Sequence, residues 1–76
     1  MRTQVTAKLD DGVNTMLRVV GTLRRKEFGI VDVEMKDLRD KAGTELTITL
    51  DGDCDLTQRA VNQMEKVYGV KNIKML

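Results

Sequence analysis

The sequence contains no histidine and no serine, and its only cysteine is Cys54. Without histidine it lacks the most common general base, and without serine it lacks the serine-based catalytic triads. Asp53 and Asp55 flank the cysteine, and their negative charge disfavours a reactive thiolate. A single cysteine forms no intrachain disulfide, and no histidine or cysteine cluster is present to hold zinc. We therefore expect a protein that is not an enzyme and that has no metal site and no cofactor.

Aromatic residues are equally scarce, because Phe28 and Tyr68 are the only two in the chain. RNA-binding sheets stack bases on exposed aromatic side chains, so this composition argues against them. Thirteen basic and twelve acidic residues leave a net charge of +1, whereas nucleic-acid-binding surfaces usually carry a basic excess. No apolar run reaches membrane-spanning length, and no signal-peptide core follows residues 1–4. We expect a cytoplasmic protein with neither a nucleic-acid nor a membrane partner.

A length of 76 residues predicts one domain, residues 1–76, near the lower size limit for independent folding. A core of this size rarely supplies more than about 3–5 kcal/mol of stability without a disulfide or a metal. Self-association or docking on a larger protein is therefore expected.

The first third of the chain changes from a strand pattern to a helix pattern. Alternation over residues 3–9 predicts a strand with Val5, Ala7 and Leu9 on its apolar face. Asp11 is predicted to cap the following helix, its side chain accepting a hydrogen bond from a free N–H of the first turn. The buried face of this helix is predicted to contain Val13, Met16, Leu17, Val20 and Leu23. Its last turn carries Arg24, Arg25 and Lys26, where positive charge suits the helix dipole.

Alternation returns over residues 28–38 and 44–50, with the turn sequence RDKAG between them, which predicts an antiparallel hairpin. A second helix is predicted to begin at the N-cap Asp55, with Gln58 in the capping-box position, and to stop at Gly69. The predicted buried positions of the hairpin are Val31, Val33, Met35, Leu46, Ile48 and Leu50. Those of the second helix and a final short strand are Leu56, Ala60, Val61, Met64, Val67, Tyr68, Val70, Ile73 and Met75.

The predicted order is strand–helix–strand–strand–helix–strand. Two right-handed strand–helix–strand units with both helices on one face form an α+β, ferredoxin-like βαββαβ sandwich over a four-stranded antiparallel sheet. The other sheet face is predicted to be polar and to carry Gln4, Thr6, Lys8, Asp32, Glu34, Lys36, Glu45, Thr47 and Thr49. Because this fold hosts many functions, the function must be argued from particular residues.

Two charged segments each allow a functional and a structural interpretation. The acidic sequence DGDCD at residues 51–55 offers oxygen ligands for calcium, but it lacks the spacing and the terminal glutamate of helix–loop–helix calcium sites. A solvated turn with a helix cap is the simpler explanation. The basic cluster at residues 24–26 suits a phosphate or an acidic partner, or it is simply the solvated end of the first helix.

Taken together, these features resemble the ACT domain, a small ligand-sensing module of amino-acid metabolism. The resemblance spans essentially the whole chain and is carried by LDDGVNTMLRVVGTLRRKEFGIVDVEM at residues 9–35. Asp10, Gly12 and Val13 match the loop that closes the first strand in this family, and Phe28-Gly29-Ile30 resembles the entry to its second strand. Within the family, the likeness extends to the small regulatory subunits of acetolactate synthase.

The resemblance implies an effector site between two domains, where the first strand–helix loop of one meets the second strand of the other. Glycine lets a ligand approach the backbone, and free N–H groups at a helix N-terminus favour a carboxylate. Carried over, the ligand-binding candidates are Asp11, Gly12, Val13 and Asn14, with Gly29, Ile30 and Val31 opposite. The structural alternative is that Asp11 is a plain N-cap, Gly12 a turn former and Ile30 part of the core.

The resemblance also implies partners. It predicts a homodimer or higher oligomer joined through sheet edges, a large catalytic subunit, and a small amino-acid effector, which is a branched-chain one in the acetolactate synthase case. A second hypothesis is an interaction module that supports a partner's oligomer without binding a ligand, because Gly29 stands where the family often has a polar residue. An acylphosphatase-type enzyme ranks last, because its phosphate-binding loop is missing.

Overall fold

A computed structural model describes residues 1–38 and 43–76. Its elements occur in the predicted order and are, along the chain, β1 (Arg2–Leu9), α1 (Gly12–Arg25), β2 (Ile30–Leu38), β3 (Gly43–Asp51), α2 (Cys54–Met64) and β4 (Val70–Met75). The turn predicted at RDKAG lies outside the described residues except for its last position. None of the described helices is long and apolar enough to span a membrane.

The four strands form one antiparallel sheet in the order β2-β3-β1-β4, so β2 and β4 are its edges. In the central pair, Arg2 faces Asp51 at one end of the sheet and Leu9 faces Thr44 at the other. β2 and β3 pair as the predicted hairpin. The arrangement confirms the ferredoxin-like sandwich.

The core lies between the sheet and the two helices, and its strand positions are those that the alternation predicts. Side chains at alternate positions of β1 and β3 are fully buried, and α1 and α2 close the core from above. The buried apolar residues are Val5, Ala7, Leu9, Val19, Leu23, Leu46, Ile48, Leu50, Ala60, Val61 and Met64. Burial on one face only is what a two-layer sandwich requires.

The predicted buried face of α1 is only partly right: Leu23 is buried and Met16 packs against the core as predicted, but the helix is rotated so that Thr15 and Val19, rather than Val13 and Leu17, are buried. The buried residues are Thr15, Val19 and Leu23, whereas Val13 and Leu17 are 59% and 58% exposed. The hydroxyl of Thr15 donates a hydrogen bond to the Asp10 carbonyl at 2.6 Å, which makes its burial inexpensive. The helix therefore turns its Thr15 side inwards, and two of its apolar residues remain on the surface.

The start of β2 also differs from the prediction. The strand begins at Ile30 rather than at Phe28, and its pairing with β3 shifts by one residue between Ile30 and Asp32. An extra residue in one strand reverses the side to which the alternating side chains point. Ile30 consequently packs against the core, whereas Val31, predicted to be buried, is 42% exposed.

The N-cap of α2 is Asp53 and not Asp55. An Asp53 carboxylate oxygen accepts a hydrogen bond from the Leu56 N–H at 3.0 Å, and Asp55 lies in the first turn. Asp53 adopts the extended backbone conformation that an N-cap requires. The acidic segment thus begins the helix, in agreement with the structural interpretation of DGDCD.

The C-terminal end of α2 is also corrected. The helix ends at Met64, and Gly69, with φ +94°, belongs to the turn that leads into β4. Because residues 65–69 leave the helix, Tyr68 does not continue its apolar side and is 88% exposed. In β4, Ile73 packs against the core as predicted, whereas Met75 near the end of the edge strand is 44% exposed.

Candidate functional site

The loop between β1 and α1 is held by hydrogen bonds on two sides. The Asp10 N–H donates to the Gly69 carbonyl at 2.8 Å, which joins the loop to the turn before β4. The Asp10 carbonyl accepts the Thr15 hydroxyl at 2.6 Å. The loop is therefore a fixed connection, and it holds the N-terminus of α1 in a defined place.

Asp11 occupies the N-cap position of α1, as predicted, but its side chain accepts no backbone hydrogen bond. Its backbone is left-handed, with φ 55° and ψ 33°, whereas a capping side chain normally needs an extended residue. Its carbonyl accepts the N–H groups of Asn14 and Thr15 at 3.1 and 3.4 Å, and its carboxylate accepts the Asn14 amide at 3.3 Å. The predicted side-chain cap is wrong, although the position is right.

The missing cap leaves backbone donors free at the start of α1. Among the described residues, no acceptor lies opposite the N–H groups of Gly12 and Val13. Gly12 has φ +29°, and a Cβ placed on it would lie 3.3 Å from the Thr44 hydroxyl oxygen, so the loop passes close to β3. Free N–H groups at a helix N-terminus, next to the exposed Val13, suit a small carboxylate with an apolar side chain.

Gly29, Ile30 and Val31 form the second group of candidates. The Gly29 carbonyl accepts the Asp51 N–H at 2.9 Å, and Ile30 faces Leu50 across the β2–β3 pair. Ile30 is half-buried and takes part in the core, which agrees with its structural interpretation, whereas Gly29 and Val31 are exposed.

The two groups lie at opposite ends of the sheet. Thr44 of β3 lies beside the end of β1, and Leu50, six residues further along β3, lies beside Ile30. At about 3.4 Å per residue this separates the groups by about 20 Å. The structure therefore brings residues 11–14 together and residues 29–31 together, but one copy of the chain does not combine them.

Thr15 and Gly69 also hold the candidate loop in place, although neither was among the residues predicted for the site. A Cβ on Gly69 would lie 3.0 Å from the Thr15 hydroxyl oxygen, so the pair closes the base of the β1–α1 loop. The available signal was the helical spacing of Thr15, Val19 and Leu23, which a pattern restricted to apolar residues overlooks.

These features describe a βαββαβ module with uncapped helix donors beside a glycine-containing strand–helix loop. A family model described as the ACT domain matches residues 11–73. The chain therefore belongs to the ACT domain family, as the resemblance implied. No curated protein matches it in sequence.

Solved structures of low sequence identity share the fold. The acetolactate synthase small subunit from Thermotoga maritima superposes with a TM-score of 0.86 at 17% identity, over 99% of this chain and 47% of that one. The ACT domain from GTP pyrophosphokinase of Chlorobium tepidum superposes with a TM-score of 0.77 at 12% identity, over 100% of this chain and 97% of that one. The regulatory subunit of aspartate kinase from Thermus thermophilus superposes with a TM-score of 0.72 at 13% identity, over 97% of this chain and 49% of that one. This chain spans about half the length of the two subunits.

Proposed function

We propose that this chain is a non-catalytic regulatory component that binds a small amino acid, of the branched-chain type, and modulates a cytoplasmic biosynthetic enzyme such as acetolactate synthase. Family membership supports the proposal, and the solved neighbours include small or regulatory subunits of amino-acid biosynthetic enzymes. The observation that carries it is the pair of N–H groups at Gly12 and Val13, which meet no acceptor within residues 1–38 and 43–76.

The α-carboxylate of the effector is placed against these two N–H groups, where the positive end of the α1 dipole also favours an anion. The exposed side chains of Val13 and Val31 offer apolar contacts that select an aliphatic side chain over a polar one. Because the two groups of candidates lie at opposite ends of the sheet, the complete site requires two copies. A homodimer joined at sheet edges satisfies this requirement.

Regulation follows if the effector binds the alternative assemblies of subunit and enzyme unequally, since only differential affinity shifts such an equilibrium. The second hypothesis, an oligomerisation module without a ligand, is favoured by one observation: Gly29 is exposed and offers no side chain to the ligand.

A thermal-unfolding scan against the twenty amino acids tests the proposal. We expect valine, leucine or isoleucine to raise the melting temperature, because a ligand at about 100 times its Kd adds about 2.7 kcal/mol of stability. For a domain of this size that corresponds to an increase of about 10–20 °C. The scan is repeated in the presence of an acetolactate synthase catalytic subunit. If no amino acid shifts the melting temperature in either scan, the result favours the oligomerisation module instead.

The substitution Asn14→Asp tests the position of the carboxylate. It keeps the size of the side chain but adds a negative charge to a first helical turn that contains no acidic residue. We expect the fold to be retained and the amino-acid-induced shift to fall by more than half, because the new charge repels the effector carboxylate. The matched control Asn62→Asp makes the same change on the exposed side of α2 and should keep the full shift. Equal amino-acid-induced shifts of the melting temperature in both variants would show that the effector carboxylate does not bind at the N-terminus of α1.

A further inference from the structure

The turn between α1 and β2 holds Glu27 in a left-handed backbone conformation, with φ 65°. The Phe28 N–H donates to the Leu23 carbonyl and the Glu27 N–H donates to the Arg24 carbonyl, both at 3.0 Å. These two hydrogen bonds form a Schellman motif, in which the residue after the helix C-cap is left-handed and is usually glycine. The motif explains the conformation of position 27 but not the glutamate that occupies it.

Glutamate is unfavourable at this position for two reasons. A side chain destabilises the left-handed conformation, which only glycine and, less often, asparagine and aspartate adopt routinely. The other described non-glycine residues with positive φ, Asp11 and Asn72, belong to these tolerant types. In addition, the carboxylate of Glu27 lies next to the negative end of the α1 dipole, which favours a cation instead.

Ion pairs within the chain do not offset these two costs. Glu27 is exposed, and within the part of the chain that the structure describes its carboxylate takes part in no ion pair. Arg24, Arg25 and Lys26 directly precede it, yet none of these cations lies within ion-pair distance of it. A backbone strain that the surrounding contacts do not explain is most often found at functional sites. We therefore looked for a ligand group that a carboxylate at this place would bind.

The amino group of the proposed effector has no assigned partner. The N–H groups of Gly12 and Val13 take its carboxylate, and exposed valines take its side chain. Gly29, in the second group of candidates, offers no side chain to it. Glu27 precedes Gly29 by two residues, which span at most about 7 Å, so its exposed carboxylate lies beside this second group.

Asp11 is the other carboxylate among the candidates, but it is already engaged. Its carboxylate accepts the Asn14 amide at 3.3 Å. Its left-handed backbone also needs no ligand to explain it, because aspartate tolerates that conformation. Glu27 is the carboxylate that has neither an ion-pair partner in the described chain nor a structural reason for its position.

We propose that Glu27 binds the α-ammonium group of the effector, whose α-carboxylate lies on the N–H groups of Gly12 and Val13 of a second copy. This inference rests on the proposed function and deepens it by adding a residue that determines specificity. A hydrogen bond between an ammonium group and a carboxylate is charge-assisted and stronger than one between neutral groups. It supplies the polar contact that Gly29 cannot make.

This contact makes the site selective for amino acids over 2-oxo acids. A 2-oxo acid of the same carbon skeleton retains the carboxylate and the aliphatic side chain but has no ammonium group. Its binding leaves the Glu27 carboxylate without a partner in the closed site, and an unpaired charged group at a binding site is costly. The regulatory component thus responds to the amino acid and not to the corresponding oxo acid.

The substitution Glu27→Gln tests this selectivity. The probes are L-valine, L-leucine and L-isoleucine, each compared with its own 2-oxo acid by isothermal titration calorimetry. In the parent chain we expect the amino acid to bind at least about tenfold more tightly than the oxo acid. Glu27→Gln should raise the Kd of the amino acid at least about tenfold and leave that of the oxo acid unchanged or lower. The matched control Glu65→Gln, at the exposed C-cap of α2, should change neither Kd.

Glu27→Gly separates binding from stability because the two effects have opposite signs. Without amino acid it should raise the melting temperature by about 4–8 °C, since glycine removes the left-handed strain. It should also reduce the additional shift that the amino acid produces. Glu65→Gly, at a right-handed position with φ −61°, should not raise the melting temperature.

Three results would overturn the inference while the proposed function stands. One is a parent-like preference for the amino acid in Glu27→Gln. Another is loss of that preference in Asp11→Asn but not in Glu27→Gln, which would give the ammonium group to Asp11. The third is an amino-acid-induced shift in Glu27→Gly as large as in the parent chain. If none of the three amino acids binds the parent chain, the proposed function fails and this inference fails with it.

Discussion

Leu46→Ala is expected to unfold most of the protein at 25 °C. Leu46 is fully buried at the centre of β3, where it faces Ala7 of β1 on one side and Met35 of β2 on the other. Removing a buried leucine side chain costs about 2–5 kcal/mol, because apolar contacts are lost and a cavity remains. A core of this size supplies only about 3–5 kcal/mol, so the loss consumes most of the stability.

Far-UV circular dichroism with urea titration measures this effect. The parent chain should show a cooperative unfolding transition. The Leu46→Ala variant should already be partly or fully unfolded in the absence of urea. Leu46→Met, which nearly conserves volume, should cost less than about 1.5 kcal/mol. Tyr68→Ala, at a position 88% exposed, should stay within about 0.5 kcal/mol of the parent. If the urea midpoint of the Leu46→Ala variant equals that of the parent chain, Leu46 does not lie in the core.

Gly43→Ala is expected to have the second largest effect. Gly43 opens β3 with φ +81°, and a Cβ placed on it would lie 2.8 Å from the Leu9 carbonyl oxygen. The left-handed conformation costs an L-residue about 1–2 kcal/mol. Relief of the clash must displace the backbone at the end of β1, directly before the loop that carries Asp11 and Gly12. A total cost of about 2 kcal/mol lowers the melting temperature by about 8–16 °C.

The matched control is the same substitution at Gly29. Its φ is not left-handed, and its Cβ would lie 3.6 Å from the Asp51 Cβ, an ordinary contact distance. Gly29→Ala should therefore be neutral or stabilise by about 0.4–1 kcal/mol, because alanine reduces the freedom of the unfolded chain. Differential scanning calorimetry of both variants at one protein concentration makes the comparison. Equal melting temperatures would contradict the close approach of Gly43 to β1.

The fold followed from the sequence because its strand signals are local. In β1 and β3 the two-residue alternation of Val5, Ala7 and Leu9 and of Leu46, Ile48 and Leu50 selects one sheet face without reference to any other element. The element order then leaves few topologies, and right-handed crossovers choose the sandwich. The change of period after Leu9 located the β1–α1 loop, whereas the candidates at residues 11–14 came from the family resemblance.

The features that only the tertiary structure decided depend on contacts between residues distant in the sequence. The rotation of α1 follows from the bond between Thr15 and Asp10 and from the contact with Gly69, 54 residues further along the chain. The exposure of Val31 follows from a pairing shift against β3, which the alternation within β2 does not reveal. The separation of the two halves of the candidate site follows from the sheet register. The sequence by itself thus determined which segments form strands and helices, because periodicity is local. The tertiary structure decided which side each helix buries and where the free N–H groups lie, because hydrogen bonds and packing between remote segments set them.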